Sequence, residues 1–304
     1  MFSSKLSQMK VIRNLIPTLL FMVVIISVSS CKKDEDDPVP PDDNPSLIFR
    51  FVFDSTQVRL DNLGNPKNVP PGHGAQSPRF NKMSAHYIEL APSPLTLLGD
   101  GEVVYHNAET TAGGATAIDF SKSIPVGNNE VFYQIPLKDV KPGTYQWLRV
   151  SLAYQNYDID FRFNFSGVNF DLTGTVASFI GYNTYLSSYK IKDSTVQVNA
   201  NKEQGYWAFE TQFNVTQGQA PPGATTVPNP LFNSSPIPQG SCVVTGVFEA
   251  PLTITGTEKN HKIITVSLST NKSFEWIENS TPGYFEPAAG DAVVDMGIRG
   301  MRVY

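Results

Sequence analysis

Between Tyr157 and Phe165 the chain reads YDIDFRFNF, and every second side chain is apolar: Tyr157, Ile159, Phe161, Phe163 and Phe165. The residues between them, Asp158, Asp160, Arg162 and Asn164, suit water. A period of two is the alternation of a β-strand, whereas a helix needs apolar residues three and four apart. The same pattern recurs in LIFRFVF, with Leu47, Phe49, Phe51 and Phe53 on one side, and in IITVSLS, with Ile264, Val266 and Leu268. WAFETQF repeats it with Trp207, Phe209 and Phe213. One buried and one wet face is the mark of antiparallel sheets. The 22 glycines and 23 prolines fall mainly between these runs, which favours a sandwich or barrel over an α/β fold. The expected class is therefore all-β, an antiparallel β-sandwich built as one large body or two closely packed halves. Helical spacing is confined to residues 181–190, GYNTYLSSYK, where Tyr182, Tyr185 and Tyr189 would share one face for a turn or two.

The expected layout places a β-sandwich region at 47–214 and further strands of the same sandwich at 242–304. Between them, residues 215–241 carry six prolines and three glycines, which reads as a loop or a crossing between packed halves. Residues 62–83 are a second stretch rich in glycine and proline. Both are expected contact regions.

The N-terminus has the layout of an export signal, residues 1–30. Lys5, Lys10 and Arg13 precede an apolar run from Leu15 to Val28, and no acid occurs before Asp34. At fourteen residues that run is short of the roughly 20 that span a bilayer core. Val28-Ser29-Ser30-Cys31 resembles a bacterial lipobox, which implies cleavage before Cys31 and acylation of its thiol and new amino group (palmitate among the chains). Several acyl chains anchor a protein stably where one binds only marginally. Lys32, Lys33, Asp34, Glu35, Asp36 and Asp37 then resemble the export tag of Bacteroidota lipoproteins, which implies display on the outer face of the outer membrane. The alternative is attachment facing the periplasm. Residues 31–46 form an acidic, proline-rich tether, at most about 50 Å long when extended.

Removing residues 1–30 takes away three positive charges and no acid, which moves the net charge from −5 to −8. No basic block remains, so nucleic acid is not an expected partner. With Cys31 acylated, Cys242 is the remaining cysteine, so the exported chain has neither an internal disulfide nor a CxxC pair. In CVVTGVF it reads as a small buried strand residue.

Ile135 to Tyr154, IPLKDVKPGTYQWLRVSLAY, runs from a strand end through Pro142-Gly143 into a tyrosine-bearing strand. It resembles a strand of transthyretin-like or immunoglobulin-like β-sandwich ectodomains of bacterial lipoproteins. VTGVFEAPLTI, HKIITVSLSTNKSFEW and GYFEP follow the strand order of those domains. The resemblance implies a β-sandwich on a lipid tether and brings no catalytic residue with it.

No nucleophile elbow, H-E-x-x-H or phosphate-cradling glycine loop occurs. The four histidines, His73, His86, His106 and His261, lack ligand spacing, and His86 and Glu89, three apart on a strand, face opposite sides. No metal site is expected from the histidines. Glu275, Glu278, Glu286, Asp291 and Asp295 are the acids that could gather around calcium, yet ENSTPGYFEPAA puts Pro282 and Ala289 where a calcium loop needs ligands. Asp158 and Asp160 read as a wet strand face rather than an acid–base pair. Tyr182, Tyr185, Tyr189 and Trp207 are the candidate glycan platform. Ser55 and Ser194, in two Asp-Ser-Thr tripeptides, match the O-glycosylation motif of Bacteroidota. The expected function is that of a non-enzymatic surface lipoprotein, a binding or structural module for a glycan or a surface protein. The alternatives are a glycan-binding partner of an uptake system and a surface hydrolase with a carboxylate site.

Overall fold

The computed structural model describes residues 44–61, 65–220, 236–238, 240–298 and 300–304. They form eighteen strands, three 3₁₀ turns and no α-helix among the described residues. In chain order the strands are β1 Ser46–Asp54, β2 His73–Gln76, β3 Arg79–Ala91, β4 Glu102–His106, β5 Glu109–Thr110, β6 Ala117–Asp119, β7 Val131–Pro136, β8 Gly143–Phe165 and β9 Val168–Phe179. They continue as β10 Asn183–Lys190, β11 Thr195–Glu203, β12 Tyr206–Glu210, β13 Val215–Gln219, β14 Cys242–Ile254, β15 Lys262–Ser269, β16 Phe274–Ile277, β17 Ala292–Met296 and β18 Met301–Val303. All fall in one compact unit, Pro41–Tyr304. The chain is all-β, as the alternation predicts.

The spine is β8, whose 23 residues extend about 75 Å at the usual rise per residue. One edge pairs antiparallel with β3, from Trp147 to Asp158. The other pairs with β14 along Gly143–Leu152 and then with β9 along Tyr154–Phe165. The eleven-stranded sheet built on it runs β13-β12-β9-β8-β14-β18-β15-β1-β7, with β3 and β4 branching off β8. Most pairs are antiparallel, but β1 and β15 run parallel from Leu47↔Lys262 to Asp54↔Ser269. Side-chain alternation is the same in either direction, so this pairing left no mark in the pattern.

Leu47, Phe49, Phe51, Val266 and Leu268 are fully buried in the main core, with Ile264 beside them. Each such side chain contributes about 1.5–3 kcal/mol by leaving water. The middle of β8, from Leu148 to Tyr157, and the inner end of β9 are buried on both faces. A sheet of β17, β16 and β2 lays Phe274, Trp276 and Met296 against Tyr157, Ile159 and Val176. A sheet of β11, β10, β6 and β5 lays Leu186 and Tyr189 against Phe179, Tyr206 and Ala208 on the other face.

Residues 181–190 do not form the expected helical turn: they supply β10. A bulge between Leu186 and Ser188 shifts the strand's parity, so Tyr189 joins Leu186 in the interior while Tyr185 stays half-buried. The Pro-rich stretch begins as strand, since β13 takes Val215–Gln219; residues 221–235 lie outside the described residues. The 62–83 stretch likewise contains β2 and the start of β3.

Candidate functional site

Two places in the described residues collect side chains suited to a ligand. The first lies where β8 and β9 emerge from under the small sheets. Along β8 the apolar face runs outward from buried Ile159 and Phe161 to half-buried Phe163 and then Phe165, which is 64% exposed. The two strands turn at Ser166-Gly167, with φ of 51° and 83°, between the paired residues Phe165 and Val168. Two left-handed residues make the tight hairpin turn whose twist matches the flanking strands. The turn carries Phe165, Val168 and Phe170 into solvent, and Phe213, 68% exposed, approaches from the β12–β13 turn.

The Phe163 ring sits 6.4 Å from both Phe165 and Phe213. With Phe161, Phe170 and Leu172 these rings line a groove of about 660 Å³. It adjoins a cleft of about 630 Å³, lined by Trp207, Phe209, Phe285 and Met296, through the shared residues Thr211 and Asn214. Trp207 lies across its cross-strand partner Gly218, where a Cβ would come within 2.6 Å of the indole. Asn214, Gln219 and Asp291 add polar atoms to the cleft.

The second place is at the end of β4. His86 Nε2 lies 3.1 Å from Glu109 Oε1 and 3.2 Å from His106 Nε2, and His106 Nε2 lies 3.8 Å from the same oxygen. His86 sits on β3 opposite β4, where Tyr87 pairs with His106 and the Asn107 N–H donates to the His86 carbonyl at 2.7 Å. The chain leaves β4 at His106 and enters β5 at Glu109, so the two residues between them break the strand. Residues three apart would face away from each other on a continuous strand; here they converge. Tyr182 donates its hydroxyl to Glu109 Oε1 at 2.8 Å. The hydrogen bond from His86 holds the Glu109 carboxyl below its usual range, against the effect of burial, and Tyr182 adds to it. Burial, with the neighbouring His86, lowers the His106 imidazole. Glu109 is thus an anion and His106 a neutral ring at neutral pH.

The other histidines have structural partners. His261 Nδ1 accepts from the Ser46 N–H at 2.9 Å, and His73 Nδ1 meets Glu275. Glu275 also takes the Arg59 guanidinium, which has Asp295 at 3.6 Å. Of the remaining candidate calcium ligands, Asp291 accepts from Asn279, Ser280 and Glu286, Glu286 from Thr281, and Glu278 from Gly283. Glu278, Glu286 and Asp291 therefore hold their own loop together, while Glu275 and Asp295 meet at Arg59, so the five acids form no common ligand cluster among the described residues. Asp160 is held ionised by Arg79, which donates at 2.7 and 3.0 Å, and Asp158 accepts from Thr175 at 2.6 Å.

The proposed glycan platform is divided by the sheet. Tyr189 packs with Tyr206 on one face of β12, while Trp207, the next residue, lines the cleft on the other. Tyr182 belongs to the histidine cluster. Ser55 is exposed in the turn after β1, whereas the Ser194 hydroxyl donates to Glu210 at 2.9 Å. Cys31 and the tag residues Lys32, Lys33, Asp34, Glu35, Asp36 and Asp37 lie outside the described residues. Cys242 is buried on β14. No family model, curated protein or solved structure gives a significant match to this chain.

Proposed function

We propose that the chain is a lipid-anchored binding module of the bacterial outer-membrane surface, which captures its ligand in the phenylalanine groove and performs no reaction on it. The groove carries this reading. Large apolar side chains brought together in solvent are costly unless something covers them, and contiguous exposed patches of this kind mark interaction sites. All its rings but Phe213 stand on a hairpin stiffened by a twelve-residue ladder rather than on a loop, so little order is lost on binding. The acylated Cys31 and its acidic tether would hold the body at the membrane and let the groove face outward.

The ligand expected is one with an apolar face. Titrating the mature protein with N-phenylnaphthylamine, whose emission rises in apolar sites, tests this. The Phe165→Ser/Phe213→Ser double variant should lose the signal while keeping its melting temperature, because both rings are largely exposed. No signal from the parent, or an equal signal from the variant, would overturn the groove as a binding site.

A glycan is the second reading, favoured by Trp207 beside Thr211, Asn214 and Gln219 in the adjoining cleft. Polysaccharide binding that Trp207→Phe weakens and the double phenylalanine variant spares would select it.

A further inference from the structure

We propose that His86, His106 and Glu109 bind one divalent transition-metal ion, of which zinc is the type, with Tyr182 fixing the carboxylate. The site does not depend on the groove or on the lipid anchor.

Distances come first. A tetrahedral ion with bonds of 2.0–2.1 Å to imidazole and carboxylate sets its ligand atoms about 3.3 Å apart. The three edges here are 3.1, 3.2 and 3.8 Å. Two nitrogens in the set disfavour calcium and magnesium, which take oxygen, and suit zinc and its first-row neighbours.

Protons alone satisfy this triangle poorly. If His86 Nε2 carries its proton, that one N–H is split between the Glu109 oxygen and the His106 Nε2 lone pair, which then face each other lone pair to lone pair at 3.8 Å. If His86 Nε2 is bare, it can accept from His106 but then opposes the Glu109 oxygen lone pair to lone pair. A cation at the centre turns all three contacts into attractions. His86 is fully buried and its Nδ1 has no hydrogen-bond partner among the described residues, so Nε2 is where this ring makes its polar contacts.

The seat is pre-built by backbone ladders. The β3–β4 pairing places the two rings, β5 pairs with β6 at Glu109↔Ile118, and β10 pairs with β6 at Thr184↔Ile118 just beyond Tyr182. Glu109 Oε1 has one lone pair for the Tyr182 hydroxyl and a second for the metal, an outer-shell contact that orients a ligand. The His106 and Glu109 side chains are 38% and 28% exposed, so the ion is reached from solvent and keeps a fourth position for water or a donor from outside the chain.

The test uses the full mature chain, purified in detergent without a histidine tag and stripped with a chelator. Calorimetric titration with zinc should show one equivalent bound, and cobalt should give the visible bands of a tetrahedral site, while calcium and magnesium give no heat. His106→Ala and Glu109→Gln, both at partly exposed positions, should keep the parental melting temperature of the stripped protein. Each should weaken zinc by more than the about 10- to 100-fold expected for Tyr182→Phe. No stoichiometric zinc, or zinc held equally well by folded His106→Ala and Glu109→Gln, would overturn the proposal.

Discussion

Glu210 shows how one residue can organise a turn. Its carboxylate accepts the N–H groups of Lys192, Asp193 and Ser194 at 2.9, 3.2 and 3.1 Å, besides the Ser194 hydroxyl. Burial pushes its pKa up, but these donors outweigh it and leave the net shift downward. The folded pKa therefore lies below the unfolded value of about 4.3. The stabilisation is complete above that unfolded value and disappears as pH falls through the folded one. Glu210→Ala should cost about 1–3 kcal/mol at pH 7, because it strands the donors, and less in acid. Urea denaturation at pH 7 and pH 3 checks this; an equal loss at both would contradict the assigned charge. The same contacts make Ser194 a poor glycan acceptor beside exposed Ser55. The Asp-Ser-Thr tripeptide is identical at both places, so only the partner brought by β12 separates them.

At the scale of elements, strand faces were legible wherever one side of the sheet met the core. Leu47, Phe49 and Phe51 are buried as their spacing implies. Legibility failed where both faces are covered or the parity shifts. Tyr206, Ala208 and Glu210 are buried opposite Trp207 and Phe209, because a second sheet lies over that side. The tyrosines of β10 mimicked a helical stripe because a bulge, which has no fixed residue signature, lies between Tyr185 and Tyr189. The histidine cluster was hidden for a related reason. His106 and Glu109 converge only because β4 ends where it does, and His86 joins them through pairing across twenty residues of sequence. The β8–β9 hairpin allows a test at this scale. Gly167→Ala places a Cβ at φ 83°, in open space but in a left-handed conformation, and should cost about 1–2 kcal/mol. The groove at its tip should bind the naphthylamine probe more weakly. Unchanged stability and binding would mean that the turn does not hold the rings in place.

For the whole molecule, the described β-body begins within fifteen residues of Cys31, and an acidic, proline-rich stretch of sequence lies between them. The single long strand β8 links the main core to the outer ribbon that bears the groove. Its two ends thus do different work: Leu148, Val150 and Leu152 lie in the main core, while Phe163 and Phe165 line the groove. Such a body needs no charge on its surface to find a membrane if acyl chains hold it there. The direct test is protease shaving of intact cells, followed by mass spectrometry of what stays in the membrane. The predicted result is an N-terminal peptide that begins at Cys31 and carries acyl chains, with the β-body released into the medium. A protected full-length chain, an unmodified Cys31, or a chain still beginning at Met1 would contradict it.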